Sequence, residues 1–148
     1  TPPPAVIVLD AFVISETWRP APDPYAVAWL DAQHLETLYL TTVTLAEIRY
    51  GIAALPDGHR RDVLRGRFEE ETFPLFAGRI LPFDEPASAA YGDLQARARE
   101  RGAALGALYA QIAAICLSRR FALATRNTRD FRVTSLALID PWEVRARR

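Results

Sequence analysis

The 148 residues predict an α/β protein, a three-layer sandwich around a mostly parallel sheet of five strands. Three observations carry that prediction. Short runs rich in β-branched residues alternate with helix-patterned segments along the whole chain. The first run, Val6-Ile7-Val8-Leu9, is apolar at every position rather than at alternate ones, as in a strand covered on both faces. Breakers such as Pro74, Gly78, Gly102 and Pro141 fall between the two kinds of pattern.

The elements follow in order. The first strand, 6–9, ends on Asp10. A helix opens at Pro24, with Asp23 as its N-cap and proline at the one position where a missing N–H is harmless. A second strand lies around 38–42, and a helix from about 45 runs to the Pro56-Asp57-Gly58 stop. Residues 59–76 carry an Arg- and Glu-rich helix, and Pro74 and Gly78 lead into a third strand, 79–83. Asp84 caps the next helix, with Pro86 in its first turn and Gly102 at its end. A further helix covers about 105–119, the fourth strand is 121–126 and the fifth is 136–140. No repeat or linker interrupts the pattern, so a single domain is expected over 1–148, with peripheral tails at 1–4 and 143–148.

Composition narrows the function classes. The formal net charge is zero and every basic residue is arginine, so strong nonspecific nucleic-acid binding is not expected. The charge is uneven: residues 1–101 hold ten Arg against fifteen acids, and residues 102–148 hold eight Arg against three. A phosphate-facing end would have that bias, because arginine pairs bidentately with phosphate. No apolar run approaches the ~20 residues of a membrane span, and the start lacks the basic and apolar regions of a secretory signal. There is no methionine even at position 1, which predicts a processed or trimmed chain. The single cysteine, Cys116, sits in an apolar run and reads as core filler in a reducing compartment.

In parallel α/β sheets, ligands bind beyond the carboxyl ends of the strands. Asp10 follows the first strand, Thr42, Thr44 and Glu47 the second, Asp84 the third, and Arg126, Asn127 and Asp130 the fourth. Hard oxygen donors thus collect at one end of the sheet, a chemistry that suits Mg²⁺ or Mn²⁺. There is no glycine-rich phosphate loop, no Cys/His metal spacing and no nucleophile triad, and His34 and His59 read as solvated. Each acid also has a purely structural reading. Thr44-Leu45-Ala46-Glu47 fits a capping box, Asp84 is an N-cap, and Asn127 and Asp130 fit turn chemistry.

The combination of VLD..VISE with RP.P behind it, TLAEIRYGI, FAGRILPFDE and ATRNTRDF resembles the PIN-domain family over about residues 5–142. The likeness is to its VapC- and FitB-type toxins of bacterial toxin–antitoxin pairs. That resemblance implies a sheet in the order 3-2-1-4-5 and metal-dependent cleavage of RNA. It implies Asp10, Glu47 and Asp130 as ligands of Mg²⁺ or Mn²⁺ and Asn127 as an orienting residue, with Arg126 and Arg129 as candidate RNA contacts. It also implies a homodimer, a cognate small antitoxin, DNA contact only through that antitoxin, no membrane association and a cytoplasmic, bacterial setting.

The chain departs from the pattern at three places. Ala11 and Phe12 stand where relatives of this kind usually carry Thr and Asn, and Tyr109 stands where they carry an Asp. A phenol is neutral at pH 7 and a poor substitute for a carboxylate as a Mg²⁺ ligand. Tyr109 also shares a helix face with Ile112, Ala113 and Cys116, which makes it part of the core. Phe12 and Tyr109 are expected to meet and fill the metal's place, leaving activity weak or absent. The alternative is a catalytically dead module that dimerises and binds an antitoxin in autoregulation of their operon, with the apolar segments at 24–35 and 45–55 supplying the surface.

Overall fold

The computed structural model describes residues 6–143. The tails expected at 1–4 and 143–148 lie outside the described residues, apart from Glu143. Five strands pair in parallel in the order β3-β2-β1-β4-β5. They are β1 (Ile7–Leu9), β2 (Leu38–Thr41), β3 (Ile80–Leu81), β4 (Ala122–Ala124) and β5 (Leu138–Ile139).

The strand covered on both faces is β1. Ile7 and Leu9 bury into one core with Leu38, Leu40, Ile48 and Phe68, while Val8 enters the other with Ile112, Ala113, Ile115 and Leu123. Period-2 alternation sends successive side chains to opposite faces, so a strand needs no polar position when helices cover both. The first core lies under α1 (Ala11–Glu16), α2 (Pro24–Asp31), α3 (Thr42–Ala53) and α4 (His59–Gly66). The second lies under α5 (Glu85–Glu100), α6 (Ala107–Arg119) and α7 (Thr128–Phe131).

The predicted caps at Asp23 and Asp84 form: Asp23 accepts from the N–H groups of Tyr25 and Ala26, and Asp84 from that of Ala87. Three readings need correction. First, α1 follows Asp10 without a break, where no helix was anticipated; Val13 and Ile14 are β-branched and continue the look of a strand. Asp10 turns the chain by accepting from the Ala11 N–H at 2.8 Å. Second, α3 begins at Thr42 and not near 45, because Thr41 caps it by accepting from the Thr44 N–H at 2.9 Å. Third, the stretch 59–76 is not one helix. After α4 it widens into a π-helical segment, Arg67–Thr72, and tightens into a 3₁₀ turn, Phe73–Phe76, at Pro74. Arg49 braces that region, pairing with Glu69 at 2.9 Å and lying 5.0 Å from the Phe73 ring centre.

Candidate active site

Strand register brings the first acid to its neighbours. Leu9 lies opposite Ala124 in the β1–β4 pairing, so the next residues, Asp10 and Thr125, leave the sheet side by side. The Thr125 hydroxyl donates to Asp10 Oδ2 at 2.8 Å, and the Asp10 N–H donates to the Ala124 carbonyl at 3.0 Å. Thr125 Oγ1 in turn accepts from the Asn127 N–H at 3.0 Å, and Asn127 Nδ2 donates to the Tyr109 hydroxyl at 3.2 Å. A chain of hydrogen bonds thus links Asp10, Thr125, Asn127 and Tyr109 across β1, β4 and α6.

Glu47 comes from α3. With Thr41 as the cap, Thr44 lies inside the helix and Glu47 is released from the capping box that its spacing suggested. Its Oε1 is buried and has no hydrogen-bond partner. Burial pushes the Glu47 carboxyl above the ordinary carboxylate range, and the negative charge of Asp10 pushes it further. Burial also raises Asp10, with the Thr125 hydroxyl and the Ala11 N–H opposing it. The Tyr109 phenol is raised first by burial and then by the negative charges of Asp10, Asp130 and Glu47.

The other expected residues fall at the margin. Asp130 is exposed on α7 while its neighbour Phe131 is buried. Among the described residues, no group of three His, Cys, Asp or Glu side chains is set to hold a metal ion. Arg126 and Arg129 are exposed, and the Arg126 guanidinium lies 5.1 Å from the ring centre of Trp142. Asp84 keeps its structural role, capping α5 and pairing with Arg119 at 3.1 Å. Cys116 is fully buried and its thiol is pushed up by burial, as core filler should be.

The expected meeting of Phe12 and Tyr109 does not occur among the described residues. Tyr109 packs on Phe131, with ring centres 5.2 Å apart. Phe12 is 53% exposed and lines a cleft between α1, α3 and α4. The reason is geometric: α1 starts at Ala11, and the helical turn carries residue 12 away from the sheet end that an extended chain would follow. Sequence reading missed Thr125, which holds Asp10, and Trp142, which carries Arg126. Thr125 had a findable signal, a polar residue ending a buried strand beside the switch in strand order.

The residues present fit a divalent cation in reduced form. The unpaired, buried Glu47 oxygen beside a second buried carboxylate is an arrangement a cation would relieve. Mg²⁺ is commonly held by one or two carboxylates with waters completing its shell. Tyr109 supplies none of the third charge.

The fold is shared with known proteins. A family model described as PIN domain matches residues 7–135. VapC ribonuclease Y4jK of Sinorhizobium fredii is 48% identical over 138 residues, covering 93% of this chain and 99% of the relative. Toxin FitB of Neisseria gonorrhoeae is 44% identical over 137 residues, again 93% of this chain and 99% of the relative. The structure of FitAB bound to an IR36 DNA fragment superposes with a TM-score of 0.89 at 44% identity, covering 92% of this chain and 95% of that one.

Proposed function

The chain belongs to the PIN domain family, and on that premise we propose that it is the toxin of a bacterial toxin–antitoxin pair, of the ribonuclease type. The observation that carries this reading is the buried, unpartnered Glu47 oxygen beside Asp10, in a chain nearly half identical to a protein named as a ribonuclease. Asp10 and Glu47 would hold a Mg²⁺ or Mn²⁺ ion, with Asp130 bordering it. When bound, such an ion supplies an activated water and charge stabilisation for a phosphodiester.

The chain's own residues do the rest. Thr125 and the Ala11 N–H favour the ionised form of Asp10 and fix its orientation. Asn127 is held between Thr125 and Tyr109, where it can orient substrate. Arg126, packed over Trp142, and Arg129 present guanidinium groups to RNA phosphates. Tyr109 places a neutral phenol where relatives of this kind carry an acid, and this substitution weakens hydrolysis. The chain acts in the cytoplasm as a homodimer, with a cognate small antitoxin that carries the contact to DNA; the DNA-bound FitAB structure supports that partner chemistry.

A second reading is a catalytically dead module that binds the antitoxin, and Tyr109 favours it. RNA cleavage separates the two. Tyr109→Asp, alone or with Ala11→Thr, is expected to cut single-stranded RNA with Mg²⁺ roughly 10–100-fold faster than the unaltered chain. Adding Asp10→Asn is expected to abolish the gain. Equal rates before and after would refute this account of Tyr109, and no cleavage by either protein would leave the binding module.

A further inference from the structure

The first core carries a cavity that the acid centre does not use. It has a volume of about 350 Å³ and shares no residue with the cleft beside Phe12 and Glu47. Its floor is Leu9 of β1 and Leu38 of β2, and its walls include Leu30 of α2 and Phe76 of the 3₁₀ turn. Helix α1 and its cap divide the two spaces: Phe12 and Ser15 line the cleft, and Ile14 and Thr17 line the cavity. Protein interiors pack to near crystal density, so a space of this size is a built pocket and not a packing gap. It falls at the smaller end of the range for sites that hold small organic molecules.

The polar groups around it offer one kind of chemistry. The Thr17 hydroxyl donates to the Ile14 carbonyl at 2.7 Å, and Gln33 Nε2 donates to the Trp29 carbonyl at 2.9 Å. What both side chains have left is an oxygen that accepts. Asp31 adds an exposed carboxylate that makes no ion pair among the described residues. It is the last residue of α2, and the last turn of that helix holds no basic residue. A helix C-terminus is already negative, so the Asp31 charge stands there uncompensated. Among the described residues, no Arg or His lines the cavity. Arg79 braces two lining residues from outside, its guanidinium committed to the carbonyls of Leu38 and Leu75.

We infer that this cavity binds a small organic cation: Asp31 and Gln33 hold its ammonium group, and an aromatic or short alkyl body lies over Leu9, Leu38 and Phe76. Charge decides against an anion, which would meet a carboxylate and acceptor oxygens with no cation in the lining. Size decides against a protein segment. A helix with its side chains is about 10–12 Å across, too wide for about 350 Å³ between α1, α2 and the 3₁₀ turn. The inference stands apart from the RNA reading above and does not rest on it. Leu9 immediately precedes Asp10, and Ile14 belongs to the helix that Asp10 caps. The ligand's body therefore lies against the segment that delivers the acid.

Tryptamine is the probe, and indolepropionate, the same ring system with a carboxylate in place of the ammonium group, is its control. The full chain, isotope-labelled, is titrated with each and followed by its amide NMR shifts. Tryptamine is expected to bind with a dissociation constant of about 1 mM and to move the amides of Thr17, Gln33 and Leu75. Indolepropionate is expected to bind at least about tenfold more weakly. Asp31→Asn, a change at an exposed position, is expected to weaken tryptamine about tenfold. Thr72→Phe, which places a ring in the cavity, is expected to abolish binding. Equal affinities for the two probes overturn the inference, as does an Asp31→Asn chain that binds tryptamine as its parent does. Tryptamine that moves the amides of Ala11, Thr125 and Asn127 instead has bound at the acid centre, which also overturns it. No shift at Thr17, Gln33 and Leu75 with about 10 mM tryptamine leaves the cavity without this ligand and ends the proposal.

Discussion

Thr125 shows how much one hydroxyl can organise. It donates to Asp10 and accepts from the Asn127 N–H, so one buried oxygen both opposes the effect of burial on the acid and directs the loop after β4. Glu47 is the opposite case, a buried carboxylate oxygen left without a partner. Its folded pKa is raised above the unfolded value, so the folded state holds the proton more tightly. The stability linked to that proton is fully present below the unfolded pKa and is lost as pH rises through the folded one. Glu47→Gln is therefore expected to raise stability at pH 7, by about 0.5 kcal/mol once solvent screening of a partly exposed group is allowed for. The two proteins should converge as the pH falls below the ordinary carboxylate range. Thermal melts across that window check this, and a variant less stable than its parent at pH 7 would contradict it.

At the scale of elements, the start of α3 governs where Glu47 points. Thr41 is fully buried, caps the helix through the Thr44 N–H, and donates to Thr44 Oγ1 at 3.0 Å. Thr41→Ala is expected to cost about 1–2 kcal/mol, the upper part of the range for a lost N-cap, since the Thr44 N–H would be left buried and unpaired. Chemical denaturation measures that loss. Thr41→Ser, which keeps the hydroxyl, should recover most of it. The turn between α5 and α6 is clamped in a comparable way, by Gln95 donating to the Leu105 carbonyl at 2.9 Å and accepting from its N–H at 3.2 Å. That clamp fixes the first turn of α6 and hence Tyr109, a role invisible in the spacing because Gln95 and Leu105 lie on different elements.

At the scale of the whole molecule, three layers bring β1, α3, α6 and the loop after β4 to one end of the sheet. Burial raises both the Asp10 and Glu47 carboxyl groups there, so their ionisation opposes folding at neutral pH, and a bound cation would offset that. With a dissociation constant of about 1 mM, about 10 mM Mg²⁺ adds about 1.4 kcal/mol to stability. For a chain of this length, that is a rise in Tm of about 4 °C. Glu47→Gln is expected to remove the rise, and an equal rise in the variant would place the ion elsewhere.

Local pattern made much of this legible. The unbroken apolar run of β1 announced a sheet with both faces covered, and the caps at Asp23 and Asp84 stand where their side chains suggested. The strand order matched the family likeness carried by the motifs. What stayed hidden depends on contacts between distant segments. A six-residue helix rich in β-branched residues has no period of its own and forms because Asp10 caps it and Val13 and Ile14 find a core. Its formation turned Phe12 from a plug for the acid centre into the wall of a groove. By itself the sequence determined which residues are apolar, which can cap and which carry charge. Only the tertiary structure decided that Asp10 meets Thr125 from 115 residues away and that Glu47 keeps an oxygen without a partner, because pairing between strands, not spacing along one, sets which polar groups share a buried space.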